Sequence, residues 1–243
     1  MGHQADILGR GGHPDGGDRW LCTARFNETS YHFEDDVLAA GEARLWEAMR
    51  LLEPLAGTTF LDLGSGVGWA AHLAGQRGGA TTTIGLDFAW KPLRLGAEAI
   101  PGVRRVQGDG CHLPLRSGSV DRVLSFGSVE HFPDVALGLR EVRRVLRTDG
   151  TAVIVVPNFY VRTEQPREIR QGLGGWRRAF DAAGLEVIAT GADRGPQVFR
   201  DRRPARIVFR LGAKALSVVP GLQYQFIFQL RPQACARRRT GPS

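Results

Sequence analysis

Three glycines at alternate positions follow a short apolar run in the stretch FLDLGSGVG, residues 60–68. The apolar run predicts a buried strand, and the glycines, which have no Cβ to disfavour positive φ, predict a tight turn. The following segment, WAAHLAGQRGG, is rich in Ala and Leu and predicts a helix that ends near residues 78–79. A strand, a glycine turn and a helix in this order bring backbone N–H groups close to a bound ligand.

The spacing of this turn excludes two common phosphate-binding loops. A P-loop ends in Gly-Lys-Ser/Thr, and the turn contains no lysine. The dinucleotide fingerprint requires a third glycine three positions after Gly66, where this chain has Trp69. Asp62, beside the turn, is unfavourable next to a pyrophosphate but suits a ligand with an amino group.

Strands and helices alternate along the chain from residue 60 onward. Strands are predicted at residues 60–63, 81–87, 103–109, 120–132 (running into a loop), 151–158, 185–193 and 223–232. Helices are predicted at residues 33–55, 69–79, 134–150 and 174–184. Such alternation predicts an α/β fold with a doubly wound parallel sheet, in which ligands bind at the carboxyl ends of the strands.

A carboxylate closes each of the first three predicted strands. Asp62, Asp87 and Asp109 occupy these positions, and three such acids in succession are not expected by chance. An acid about twenty residues after the glycine turn is suited to accept hydrogen bonds from ribose hydroxyls. Asp109 is suited to accept from an exocyclic amine.

These segments, in this order, resemble the class I S-adenosylmethionine-dependent methyltransferases. The matching motifs are LDLGSGVG, GLD, GDGCHLPLRSGSVDRVLS and EVRRVLRTDGTAVIVVPN, and the resemblance covers about residues 55–190. Within the family, the chain is most similar to the small-molecule branch that includes quinone-biosynthesis and natural-product methyltransferases. The resemblance implies S-adenosyl-L-methionine as cofactor and a Rossmann-like seven-stranded sheet with an antiparallel last strand and an N-terminal helical lid.

The resemblance also implies roles for particular residues. Asp62 lies near the amino group of the methionine moiety, Asp87 binds the ribose hydroxyls, and Asp109 binds the adenine amine. The other implied cofactor contacts are Gly64, Ser65 and Gly66 at the methionine moiety, Phe88, Gly110 and Leu113 at adenine, and Ser125 and Phe126 at the methionine end. Gly110 departs from the alanine that usually follows this Asp in the family.

His131, just after the fourth strand, is the candidate catalytic base, with Glu130 as its orienting partner. The alternative is that His131 caps the next helix or packs beneath the lid. Some quinone-pathway relatives carry Glu-x-x-Glu-His here, but the first of these positions is Gly127 in this chain. Two remaining ligands are too few for a metal site, so none is predicted.

The acceptor is not specified by the sequence. The Asn/Asp-Pro-Pro-aromatic motif of base-methylating enzymes is absent after strand four, so nucleic acid is not expected. A small molecule methylated at a hydroxyl, carbon or amine is predicted. The alternatives are a lipid-linked acceptor at a membrane surface, an aminopropyl-transferring enzyme of the same fold, and a cofactor-binding regulator without catalysis.

The predicted organisation is one methyltransferase domain, residues 19–243, after a flexible arm, residues 1–18. Its parts are a lid at 19–55, a cofactor-binding core at 56–198, an insertion at 199–223 and a last strand at 224–233. The insertion is basic and amphipathic, which fits a contact with an anionic membrane, a wall of the acceptor pocket or a dimer contact. A cytoplasmic monomer or homodimer is expected, since the arm lacks a signal-peptide core and the three cysteines are scattered.

Overall fold

The computed structural model describes residues 37–160, 168–193 and 221–234, together with residues 208, 211, 212, 215 and 219. The helices within 37–193 are α1 (Val37–Met49), α2 (Trp69–Gln76), α3 (Trp90–Ala99), α4 (Val135–Val145) and α5 (Leu173–Ala182), with short 3₁₀ helices at Arg50–Leu52 and Val129–His131. The strands are β1 (Thr59–Leu63), β2 (Thr82–Asp87), β3 (Arg104–Gln107), β4 (Val120–Phe126), β5 (Leu146–Pro157), β6 (Leu185–Asp193) and β7 (Gln225–Pro232).

The seven strands form one sheet in the order β3-β2-β1-β4-β5-β7-β6. The first five pair in parallel, and β7 lies between β5 and β6, antiparallel to both. This arrangement confirms the predicted Rossmann-like fold class with its antiparallel last strand and N-terminal helix. The carboxyl ends of β1 to β4 therefore meet along one edge, where α/β sheets bind their ligands.

Both faces of the sheet are buried, which accounts for the continuous apolar character of β5. On one face, Val135, Leu139 and Val142 of α4 pack with Trp176 and Phe180 of α5. On the other face, a second cluster joins α1 and α2 to the sheet, and its members include Met49, Leu73, Leu124, Val153 and Ile227.

Several element boundaries differ from the predictions, and helix α3 lies in a segment for which no helix was predicted. Asp62 lies one residue inside β1, and Asp109 lies two residues beyond the end of the short strand β3. Leu146 falls within the helix predicted at residues 134–150 but begins β5, because its backbone is extended and it pairs with Val120. The Leu146 side chain is nevertheless buried in the core.

Helix α1 is fixed to the carboxyl edge of the sheet by one arginine. The guanidinium of Arg44 makes a bidentate ion pair with Asp193 at the end of β6 and donates to Gln225 Oε1, 3.3 Å away, at the start of β7. It also lies 5.3 Å from the ring centroid of Phe126, the last residue of β4. The N-terminal helix therefore lies beside the strand ends that form the candidate site.

Within the described residues, no helix has the length and apolarity required to cross a bilayer. The predicted arm at 1–18, the first part of the lid at 19–36 and most of the 199–223 insertion fall outside the residues that the structure describes.

Candidate functional site

The glycine turn, residues 64–68, folds closely against the end of β2. The backbone N–H groups of Gly64 and Ser65 both donate to Leu86 O, at 2.8 and 2.9 Å. Gly64 has a φ of +75°, and a Cβ built on it would lie 2.2 Å from Ser128 Oγ. Ser128 Oγ in turn donates to Gly64 O at 3.2 Å. Glycine is therefore required at this position by both its backbone conformation and its closeness to the loop after β4.

Asp87 joins the glycine turn to the end of β2. Its Oδ2 accepts from the N–H of Gly66 at 2.8 Å, and its Oδ1 accepts from the N–H of Ala89 at 2.9 Å. Each carboxylate oxygen has more than one lone pair, so a bond to a backbone N–H does not by itself prevent the same oxygen from accepting from a ligand hydroxyl. The side chain that the sequence predicts to bind ribose is thus also the one that holds the turn.

Asp62 lies buried beneath the turn, where its Oδ2 accepts from the N–H of Ala71 at 3.2 Å. Burial raises the pKa of the Asp62 carboxyl to about 7, and the nearby negative charge of Asp87 contributes to the increase. A buried carboxyl with this pKa gains a proton easily unless a cation lies beside it.

Asp109 lies at the start of the loop between β3 and β4, residues 108–119, here called the β3–β4 loop. Its Oδ1 accepts from the N–H of Cys111 at 2.7 Å, and its Oδ2 lies 2.9 Å from Nδ1 of His112. The N–H of Gly108 donates to Asp87 O at 3.0 Å, which brings the second and third acids to the same edge. Phe88, next to Asp87 in the sequence, is half-buried, and its carbonyl accepts from Gln107 Nε2 at 3.1 Å.

Gly110, the departure from the family pattern, has a packing explanation. A Cβ on Gly110 would lie 2.3 Å from Cζ of Phe132, and one on Gly138 would lie 2.4 Å from Cδ2 of the same ring. The Phe132 ring is buried between these two glycines, so it occupies the space that an alanine at position 110 would need.

We therefore expect Gly110→Ala to lower the free energy of unfolding by about 1–3 kcal/mol, the usual cost of overpacking a core. Adding Phe132→Leu should recover part of this loss, because the smaller side chain removes the overlap. Gly174→Ala, on the exposed face of α5, is the control and should be neutral or stabilising. Urea denaturation measures all four proteins, and a Gly110→Ala variant as stable as wild type would contradict the packing explanation.

The end of β4 and the loop that follows it carry the remaining candidate residues, the predicted cofactor contact Ser125 and the predicted base His131. Ser125 is fully buried, and its Oγ has no hydrogen-bond partner among the described residues. Glu130 and His131 are also buried, in the 3₁₀ turn that follows. Burial lowers the pKa of His131 to about 4. Burial, with a smaller contribution from Glu168, raises the pKa of Glu130 to about 8.

Both side chains are therefore neutral near pH 7, and the structure does not pair them as expected. Glu130 Oε2 and His131 Nδ1 each have no hydrogen-bond partner within the described part of the chain. The carbonyl of Glu130 accepts from the N–H of Ile169 at 2.9 Å, which fixes the turn. Among the described residues, no group of three His, Cys, Asp or Glu side chains is arranged to hold a metal ion.

Sheet order, glycine turn and strand-end acids together define a Rossmann-like α/β fold with a candidate ligand site at the carboxyl edge of the sheet. Residues 61–154 match the family described as methyltransferase domain, which confirms the resemblance found in the motifs. An uncharacterized methyltransferase of Mycobacterium sp. (strain JLS) is 37% identical over 140 residues, 56% of this chain and 54% of the relative. A demethylmenaquinone methyltransferase of Thermobifida fusca is 33% identical over 132 residues, 51% of this chain and 55% of the relative.

The chain thus spans about half the length of the curated relatives it matches. Among solved structures, geranyl diphosphate C-methyltransferase from Streptomyces coelicolor A3(2) aligns with a TM-score of 0.69 at 14% identity, covering 88% of this chain and 98% of the other. The complex of the Haloferax volcanii Trm112 methyltransferase activator with a methyltransferase aligns with a TM-score of 0.66 at 18% identity. This alignment covers 84% of this chain and 100% of the other. At these identities, the structures show the shared fold.

Sequence reasoning did not identify Ser128 or Arg44 as part of this edge. Ser128 lies between Gly127 and Glu130, and nothing in its neighbours indicates a contact with a glycine 64 positions earlier. Arg44 reads as an ordinary helix arginine, because its partners Asp193 and Gln225 lie far along the chain.

Proposed function

We propose that this protein transfers a methyl group from S-adenosylmethionine to a small-molecule acceptor. The observation that supports this most strongly is the convergence of the glycine turn and three carboxylates at one sheet edge, with Asp87 bonded to the N–H of Gly66. A dinucleotide or a simple phosphate would not be matched by this acidic set. An aminopropyl transfer or a regulatory role uses the same site and is separated by experiment.

The three carboxylates at this edge fit the hydrogen-bond donors of the cofactor. Carboxylates accept hydrogen bonds, and the cofactor offers an ammonium, ribose hydroxyls and an adenine amine. We assign these to Asp62, Asp87 and Asp109 respectively, with the backbone of the glycine turn along the methionine moiety. When bound, the cofactor supplies an electrophilic methyl carbon, so the protein acts mainly by aligning the acceptor with it.

The first test is calorimetry with S-adenosylmethionine, followed by incubation with extracts of the producing organism. Formation of S-adenosylhomocysteine together with a product one methylene heavier supports methyl transfer. Formation of methylthioadenosine instead indicates aminopropyl transfer, and binding without turnover of any acceptor indicates a regulator. Absence of binding would reject the cofactor assignment.

His131 is proposed as the base for a hydroxyl acceptor. We expect His131→Ala to lower kcat about 10²–10⁴-fold while the Kd for the cofactor changes by less than about twofold, because only the chemical step loses support. With a pKa near 4, the imidazole is already neutral across the neutral range. The kcat of the wild type should therefore stay level through pH 6 to 8.

A different pH profile would identify Glu130 instead. Its carboxyl must lose a proton to act as a base, so kcat would rise as the pH increases through about 8. A His131→Ala variant with normal turnover would leave His131 with a structural role. The expectation that no metal takes part is tested by chelator treatment, and recovery of activity only on adding Mg²⁺ would overturn it.

Asp62 should make cofactor binding depend on pH. The carboxyl is protonated below its pKa of about 7, and a bound ammonium favours the ionised form. Affinity should therefore increase up to about tenfold per pH unit as the pH rises toward 7 and become constant above it. Asp62→Asn should abolish this dependence and bind more weakly. If the affinity of the Asp62→Asn variant still depends on pH in this range, the titrating group is not Asp62.

The relatives suggest the kind of acceptor. Several are demethylmenaquinone methyltransferases, and one solved neighbour is a geranyl diphosphate C-methyltransferase, so we propose a quinone-like or other apolar natural-product acceptor. A lipid-linked acceptor fits the basic insertion at 199–223. Membrane binding through this insertion is tested by co-sedimentation with anionic vesicles at low and at high salt. A protein that stays in the supernatant at both salt concentrations does not bind membranes through residues 199–223.

We also propose the domain boundaries given above, with a lid at 19–55. A cytoplasmic location and a monomeric or homodimeric state belong to the same proposal. Truncation of residues 1–36 tests the lid. We expect turnover to be lost with little change in stability, and an active truncated protein would show that the lid lies elsewhere.

A further inference from the structure

An ion pair on helix α4 holds the β3–β4 loop by its backbone. Glu141 Oε2 accepts from the N–H of Leu113 at 2.8 Å, and Arg144 Nη2 donates to Leu113 O at 2.9 Å. Arg144 Nη1 donates to Leu115 O at 2.8 Å and to Ser117 Oγ at 3.2 Å. Both polar groups of Leu113 are thus bound by one pair of side chains from a neighbouring element.

The pair itself is tightly bonded. Arg144 Nε and Nη2 donate to the two Glu141 oxygens at 2.6 and 2.7 Å in a bidentate geometry, and the bonds that each charged group makes to the loop are charge-assisted. The hydrogen bond from Arg144 is the main cause that lowers the pKa of Glu141, and the same contact raises the pKa of Arg144. Both groups are therefore charged at neutral pH.

The helix that carries the pair is rigidly placed. Val142 and Val145, adjacent in sequence to Glu141 and Arg144, are fully buried in the main core cluster. The first part of the loop has fewer bonds to other elements. Gly108 N–H donates to Asp87 O at 3.0 Å and Cys111 Sγ donates to Asp134 O at 3.2 Å, whereas the Asp109 side chain bonds to Cys111 and His112 within the loop. Because, among the described residues, the Asp109 side chain is bonded only within the loop, its position depends in part on what holds the residues just after it.

We propose that Glu141 and Arg144 are positioning residues for adenine recognition, acting through the backbone of Leu113 to hold Asp109 at the cofactor edge. This inference rests on the proposed function, since it takes Asp109 as the acceptor for the adenine amine. The pair touches no substrate atom itself; its effect is on the geometry of the loop.

A purely structural pair would act differently. If it only attached the loop to α4, its loss would lower stability and weaken all nucleoside ligands equally. If it positions Asp109, its loss weakens ligands with an adenine amine more than ligands that carry an oxygen at the same position. The ratio of the two affinities is therefore the informative quantity.

The experiment compares S-adenosylhomocysteine with S-inosylhomocysteine, in which the amine is replaced by a carbonyl oxygen, by calorimetry on the full chain. The Kd of wild type for S-adenosylhomocysteine should be at least about tenfold lower than for S-inosylhomocysteine, because the inosine ligand lacks the amine that donates to the Asp109 carboxylate. Glu141→Gln should reduce this preference by at least about threefold. Arg144→Lys, which keeps the charge, should give an intermediate preference.

Glu98→Gln is the matched control, because Glu98 forms an ion pair of the same kind with Arg94 on α3 at 2.9 Å. Its preference should equal that of wild type. Amide hydrogen exchange at Leu113 gives a second measure, and it should accelerate in Glu141→Gln. If that variant does not fold, Arg144→Lys carries the comparison.

The outcomes separate the inference from the function on which it rests. Wild type that binds neither ligand rejects the cofactor assignment and the inference together. Wild type that binds with the expected preference, unchanged in both Glu141→Gln and Arg144→Lys, rejects the inference alone and leaves the cofactor assignment standing.

Discussion

Replacing Asp87 by alanine is expected to raise the Kd for S-adenosylmethionine about 100-fold. Two charge-assisted hydrogen bonds to ribose hydroxyls are lost, each contributing about 1.5–3 kcal/mol, and water replaces them only in part. The N–H groups of Gly66 and Ala89 also lose their acceptor, which loosens the glycine turn. Calorimetry on a variant shown to be folded by its circular dichroism spectrum measures the effect.

Asp121→Ala is the matched control for this substitution. Asp121 Oδ2 likewise accepts a backbone N–H, from Thr59 at 2.8 Å, but at the start of β1 and so at the opposite edge of the sheet. The control should lose stability of the same order and bind the cofactor as wild type does. If Asp87→Ala changes the Kd no more than Asp121→Ala does, Asp87 does not bind the ribose.

Gly64→Ala is expected to lower the free energy of unfolding by about 2–5 kcal/mol. Part of this, about 1–2 kcal/mol, comes from placing a Cβ on a left-handed residue with φ of +75°. The remainder comes from overlap with Ser128, whose Oγ and Cβ would lie 2.2 and 2.3 Å from the new atom. Urea denaturation of the ligand-free protein measures the sum.

Gly57 allows the two contributions to be separated. Its φ of +77° is nearly that of Gly64, but a Cβ there would have no heavy atom within 4 Å. Gly57→Ala should therefore cost only the backbone part. The double variant Gly64→Ala/Ser128→Gly should approach the same cost, because the overlap is removed. Equal losses for Gly57→Ala and Gly64→Ala would show that Ser128 moves aside freely.

The seven strands and four of the five described α-helices could be predicted from the sequence, because strand and helix periods are local properties, and the antiparallel last strand was implied by the family resemblance. Helix α3 was not predicted, and it contains Pro92 and Gly96, two residue types of low helix propensity. Other errors fall where tertiary pairing overrides the local pattern. Leu146 has the spacing of an α4 core residue, yet its pairing with Val120 makes it the first residue of β5. The register shift between Val120 and Arg122 that accompanies this pairing has no signature in the sequence.

The candidate site was predictable only in part, for a related reason. The glycine turn and the acids Asp62, Asp87 and Asp109 follow apolar runs and can be found by position alone. Ser128 acts on Gly64 across a contact that no periodicity reveals. Glu141 and Arg144 read from the sequence as an exposed helical pair, and only the structure shows that they bind the backbone of Leu113.

The attachment of α1 has a consequence for the order in which the chain folds. Arg44 is among the early residues of the described chain, whereas its partners Asp193 and Gln225 lie 149 and 181 positions later. Contacts at such separation form late, because the loop between them must first be closed. During synthesis, β1 to β4 can therefore assemble before α1 is secured. The bonds from Arg44 to Asp193 and Gln225 can form only when β6 and β7 have joined the sheet beside β5.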